Sequence, residues 1–149
     1  MQRQQGFTLL EVLVALLVVS IGLIGLAGLM TTSLKNNQSA SQRSKATWLA
    51  YDILDRMRAN PTVAATANSG GYNINYGATP SVSGVAGTDL TDWLTELAAA
   101  FPQGQGQISV NSQGVVTIHV RWNDSRGLGV LSNSYAGNSQ QIFTLMSQL

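Results

Sequence analysis

The sequence predicts an α+β protein: one long N-terminal helix whose second half packs on a small antiparallel sheet, with one short extra helix. Three observations predict it. An apolar run occupies Val12 to Met30, with Ser20 its only plainly polar side chain. Helical periodicity then continues to Ala59, with Leu49, Ile53 and Met57 recurring every fourth residue. Strand-like alternation is confined to the last third, clearest in Val116, Ile118, Val120 and Trp122.

At ~1.5 Å per residue the first run covers nearly the ~30 Å hydrocarbon thickness of a bilayer, so the segment can span one. An ordinary secretory signal has an apolar core of roughly 7–15 residues and ends at a small-x-small site. Here the run leads through Thr31, Thr32 and Ser33 into more helix, and the segment is expected to be retained. Only Arg3 and the α-amino group precede the run, while Lys35, Arg43 and Lys45 follow it. Taken alone, the positive-inside rule therefore places the N-terminus outside. Glu11 stands at the start of the run. An ionisable group costs roughly 2.5–3.5 kcal/mol near the centre of a span and less near its end, so Glu11 either marks the membrane edge or is kept for a function. Gly22, Gly25 and Gly28 recur every third residue. They either allow close helix approach or are ordinary membrane-helix glycines.

From Leu34 to Ala59 the helix carries one apolar face, with Ala46, Ala50 and Leu54 joining Leu49, Ile53 and Met57. Asp52 and Arg56, and Asp55 and Arg58, are spaced to pair across turns. Asn60-Pro61 ends the helix, because a residue before proline disfavours the α region. Pro61 to Thr88, rich in Thr, Ala, Ser, Gly and Asn, reads as a long surface loop with an extended piece at Tyr72 to Tyr76. Tyr72 and Tyr76 either pack this loop onto the domain or offer adhesive contacts. Asp89 to Phe101 is predicted as an amphipathic helix with Leu90, Trp93, Leu94, Leu97 and Phe101 on one face. Thr88 or Asp89 caps it, Pro102 follows it, and Asp89 and Asp92 then complement the dipole in its first turn. Gln107 to Val110 and Val115 to Trp122 flank Asn111-Ser112-Gln113-Gly114 as an antiparallel hairpin. Thr117, His119 and Arg121 fall on its polar face. Asn123 to Gly127 makes a turn or loop, and Gln141 to Met146 supplies a third strand.

The 149 residues carry a formal net charge of +1 and only 10% charged side chains. The Lys and Arg residues are scattered, which argues against nucleic acid as a partner. Once the helix is set aside, about 90 residues remain, enough for a small fold. There is no Cys, which excludes disulfides, thiolate nucleophiles and Cys-based zinc sites. An exported domain built this way relies on packing, on its helix or on neighbouring subunits. The available catalytic groups are His119, Asp89, Asp92, Glu96 and Asp124, and His119 is the single His. Metal-ligand spacings and His-based nucleophile sets are absent, so no metal, no cofactor and no enzymatic role are expected.

Gly6-Phe7-Thr8-Leu9-Leu10-Glu11 resembles the processing motif of type IV prepilins and pseudopilins. The resemblance implies a leader, residues 1–6, removed by a membrane prepilin peptidase at the Gly6–Phe7 bond. It also implies a methylated amine on Phe7 and a role for Glu11 in assembly. It places the N-terminus on the cytoplasmic side, against the charge count, with the rest in the periplasm or, after assembly, in a pilus. The divisions are then a transmembrane assembly helix over 7–30, its periplasmic half over 31–60 and a small α+β domain over 61–149. Phe7 and Glu11 lie one helical turn apart, and a charge left unpaired in a poorly solvated place is costly. Pairing Glu11 with the amine of an adjacent subunit therefore sets register during assembly.

The stretch Ala50-Tyr51-Asp52-Ile53-Leu54-Asp55-Arg56-Met57-Arg58-Ala59-Asn60 is similar to the corresponding helix of PilV-like minor pilins. The turn Trp122-Asn123-Asp124-Ser125-Arg126 is similar to theirs as well. This implies a minor pilin that primes type IV pilus assembly with other minor pilins, the major pilin and an inner-membrane assembly platform. A tip adhesin is a further implied partner, with adhesion, twitching or DNA uptake as the output. A minor pseudopilin of a type II secretion system shares the same start and is the alternative; the Asp-Arg-Met-Arg-Ala-Asn stretch favours the pilus.

Overall fold

The computed structural model describes residues 8–67, 71–124 and 140–149. Helix α1 runs unbroken over Leu9–Ala59, 51 residues. It starts where Thr8, in extended backbone, accepts the Glu11 N–H on its side-chain oxygen at 3.3 Å, which satisfies one of the donors left over in the first turn. Within the apolar run the hydroxyl of Ser20, and just past its end those of Thr31 and Thr32, donate to the carbonyls of Leu16, Ala27 and Gly28. Polar side chains can therefore sit in this run without a stranded donor. The helix stops at Asn60, whose φ of −127° and ψ of 61° leave the α region ahead of Pro61. Pro61 then opens a single turn, α2, over Pro61–Ala64, where its missing N–H costs nothing.

Every side chain from Leu9 to Met30 is exposed, and the helix is long and apolar enough to cross a membrane. Burial on α1 begins at Gln42 and continues with Ala46, Leu49, Ala50, Ile53, Leu54 and Met57, the apolar face read from the periodicity.

Helix α3 covers Gly84–Ala100, with Ser83 at its N-cap. This corrects the expected start at Thr88 or Asp89. Two glycines made the first turn look like loop, yet Ala86 is buried, and a Cβ on Gly87 would lie 2.2 Å from the Val82 carbonyl oxygen. Close packing of small residues overrides their weak helix propensity.

Strands β1, Gln105–Val110, β2, Val115–Asn123, and β3, Gln140–Gln148, form an antiparallel sheet in the order β1-β2-β3. The register sets Ile108 against Ile118 and Val120 against Phe143. Asn111 closes the hairpin, its side-chain oxygen accepting the N–H groups of Gln113 and Val115. Val116, Ile118, Val120 and Trp122 are buried, whereas Thr117, His119 and Arg121 are only half-buried on the opposite face. The third strand extends beyond the expected Gln141–Met146 at both ends.

The core lies between this inner sheet face, α1 and α3. Trp93, Leu90 and Leu97 of α3 fill it, and the Trp93 Nε1–H donates to the Leu49 carbonyl at 2.9 Å, so the buried indole is satisfied. Gly106 of β1 passes so close that a Cβ there would lie 2.3 Å from the Trp93 ring. The segment after Pro61 is more than surface loop. Ala64, Tyr72 and Ile74 are buried, and Ile74 exchanges two backbone hydrogen bonds with Ile108 at 3.0 and 2.9 Å. Asn73 Oδ1 accepts the Val110 N–H at 2.7 Å. Tyr72 is thus a core residue and not an adhesive contact, while Tyr76 is half-buried beneath the Arg121 guanidinium, 4.1 Å from its ring centroid.

Candidate functional site

Two regions hold the residues singled out from the sequence. The first is the N-terminal end of α1. Glu11 sits in the first helical turn, one residue type suited to the positive end of the helix dipole, with its backbone held by Thr8. Its carboxylate is exposed, and among the described residues it has no ion-pair partner. Gly6 and Phe7, the residues flanking the expected scissile bond, lie outside the described residues. Cβ atoms built on Gly22, Gly25 and Gly28 would meet nothing within 4 Å. Packing among the described residues therefore makes no use of these three small positions.

The second region joins α1 to α3. Arg56 reaches Asp52 at 2.8 Å, the i,i+4 pair expected from spacing, and also Glu96 at 3.3 Å. Asp89 and Asp92 each lie 3.9 Å from its guanidinium. Partial burial opposes the Arg56 charge, but Asp52, Glu96 and Asp89 outweigh it and raise its pKa further above the ordinary value. Arg58 pairs with Asp55 at 3.2 Å as the spacing predicted. The expected dipole role of Asp89 and Asp92 is corrected: with the helix starting at Gly84 they stand beyond its first turn, and their charge answers Arg56 instead. Their spacing with Glu96 along one helix face was the signal for this. Asp89 also accepts the Tyr72 hydroxyl at 2.6 Å, and Asn60 Nδ2 donates to the same hydroxyl oxygen at 3.4 Å. Burial, then the bond to Asp89, pushes the Tyr72 hydroxyl up to about 12. One guanidinium among carboxylates, with a capped phenol, is a clamp between helices and holds no nucleophile–base pair.

The remaining titratable groups are dispersed. His119 Nδ1 lies 2.9 Å from Thr144 Oγ1 across the polar sheet face. Asp124 is fully buried at the end of β2, where the Ser39 hydroxyl donates to its Oδ2 at 2.7 Å. This tie between β2 and α1 was not legible, since 85 residues separate the partners. Among the described residues no cluster of His, Asp and Glu is placed to hold a metal ion.

The family model of the prokaryotic N-terminal methylation motif matches residues 1–27, a motif typical of type IV pilins and pseudopilins. No curated protein and no solved structure gives a significant match to the chain.

Proposed function

Starting from a methylation motif set on an uncovered apolar helix, we propose that this chain is a PilV-like minor pilin. It is a structural, priming subunit of a type IV pilus. The match over residues 1–27 carries the reading. Support comes from the helix continuing without a break from that motif into the core of the domain. Prepilin peptidase cuts between Gly6 and Phe7, Phe7 is methylated, and residues 7–30 anchor the subunit in the inner membrane. Residues 31–60 then hold the 61–149 domain in the periplasm until the subunit joins other minor pilins and the major pilin at the assembly platform, with a tip adhesin as a further partner. Glu11, exposed and without an ion-pair partner among the described residues, accepts the amine of an adjacent subunit. A minor pseudopilin of a type II secretion system is the second reading, because the same motif serves both assemblies.

Intact mass and N-terminal sequencing of the membrane-extracted protein, with and without the peptidase, test the proposal. Peptidase-dependent loss of Met1 to Gly6, leaving a methylated Phe7, is expected. An uncleaved chain, or one cut beyond Met30, overturns it. Deletion of the gene is expected to reduce surface pili and leave type II secretion unchanged; the reverse pattern selects the pseudopilin.

A further inference from the structure

The sheet has two edges, and the fold treats them differently. Along β1 the groups that point away from β2 are answered: the N–H and carbonyl of Ile108 bond with Ile74, and the Val110 N–H donates to the Asn73 side chain. Along β3 they are not. The Leu149 N–H donates to the Gly114 carbonyl at 3.1 Å, and in an antiparallel ladder bonded and non-bonded pairs alternate. With Val115 opposite Gln148, Gln141, Phe143, Leu145 and Ser147 therefore exchange bonds with β2. Ile142, Thr144 and Met146 turn their N–H and carbonyl groups outward, where no strand among the described residues pairs with them.

Monomers blunt such an edge with charges, proline, a bulge or a very short strand. Gln140–Gln148 is nine residues long and holds no charge, proline or glycine. Both of its side-chain rows are apolar at the centre. Ile142 and Met146 are 56% and 67% exposed on the outer face, while Phe143 and Leu145 on the inner face are only half-buried against the core. A strand laid beside β3 satisfies the backbone row and completes the cover of Phe143 and Leu145 at once.

We propose that β3 is a docking edge for one extended, uncharged strand, apolar on both faces, that a different exported subunit donates. The backbone row selects an extended segment, because only alternating N–H and carbonyl groups match it. The apolar rows select an uncharged one, because a charge set against Phe143 or Leu145 loses water without gaining a partner. A second copy of the chain is disfavoured by direction. Two copies joined antiparallel through β3, as the other strand pairs of this sheet are, are related by a two-fold axis normal to the sheet. That axis reverses every direction in the plane, including that of α1 on the inner sheet face. The two apolar N-terminal spans then point opposite ways and cannot enter one membrane. This exclusion rests on the reading of the chain as a membrane-anchored subunit, whereas the unpaired edge does not.

The test replaces Ile142 with the photoreactive residue p-benzoyl-phenylalanine in the full chain, in cells that carry the peptidase and the other subunits. Cross-linked peptides are sequenced by mass spectrometry. The expected product joins position 142 to another subunit, at a stretch of at least about five residues that is uncharged and alternately apolar. Met146→Pro removes an outward N–H and leaves the ladder with β2 intact, and Met146→Lys sets a charge on the same edge. Each is expected to lower the yield of that product about tenfold with an unchanged urea midpoint; if Met146→Pro itself unfolds, Met146→Lys decides. A product on lipid, on a helix, on a charged segment, on residues 125–139 of the same chain or on a second copy overturns the proposal, as does no product. Wild-type yield in the folded variants overturns it as well. N-terminal mass of the same sample reads processing: an unprocessed chain overturns the pilus reading, and the cross-link still decides the edge.

Discussion

Glu11 and Arg56 are both charged residues of α1, and their surroundings give them opposite roles. Arg56 is answered within the chain by Asp52, Asp89, Asp92 and Glu96, whereas Glu11 has no ion-pair partner among the described residues, and the proposed function gives it one in an adjacent subunit. Glu11→Ala is therefore expected to leave peptidase processing intact and to abolish most incorporation into pili, read by immunoblot of sheared pili against the membrane fraction; wild-type incorporation contradicts the assembly role. Arg56→Met should destabilise the domain by about 1–3 kcal/mol, because it leaves carboxylates facing one another across the α1–α3 seam. Urea unfolding measures it, and a midpoint equal to wild type contradicts the clamp. At Tyr72 the folded state favours the neutral phenol, with its pKa raised from 10 to about 12. The stability this contributes is fully present below pH 10 and is lost as pH rises from 10 towards 12. Thermal midpoints of the wild type should thus fall more steeply than those of Tyr72→Phe over that range, and parallel curves contradict the assignment.

The elements meet closely at Gly106, where β1 crosses under α3 against the Trp93 ring and Leu97. Gly106→Ala leaves the strand's own geometry permissible but forces the indole aside. A loss of about 1–3 kcal/mol is expected, measured by urea unfolding followed through tryptophan fluorescence. A neutral substitution would mean that Trp93 has room to move, against its complete burial. The seam also explains why α3 begins early: its small residues let the first turn approach the preceding chain at Val82. Sequence periodicity read the Leu90–Trp93–Leu97 face correctly, yet it could not see a helix turn whose reason lies in what it packs against.

Across the whole molecule, the described residues divide into an uncovered rod and a packed domain, with no buried side chain before Gln42. Removing the chain up to Met30 therefore takes away no buried side chain among the described residues. The remaining chain is expected to unfold cooperatively, with a thermal midpoint within about 5 °C of the full chain in detergent. A non-cooperative transition would show that the apolar helix supports the domain. Small size and the absence of disulfides place the load on the core where α1, α3 and the sheet meet, and the partly buried Ser39–Asp124 bond fastens the end of β2 to α1.

The sequence by itself determined what depends on local pattern. The continuous apolar run, the amphipathic second half of α1, the stop at Asn60-Pro61 and the alternation of β2 were all legible, because each follows from the spacing of neighbouring residues. The motif around Gly6, Phe7 and Glu11 was legible as a contiguous run that resembles a known processing motif, and the methylation-motif model matches over residues 1–27. Tertiary structure decided the rest. Tyr72 became core because Ile74 and Asn73 pair with β1, and Asp89, Asp92 and Glu96 became a clamp because α3 lies against Arg56. Likewise Trp48 and Trp93, both tryptophans on helices, parted company. Packing against Leu49 and β1 buried Trp93, whereas Trp48 was left facing out.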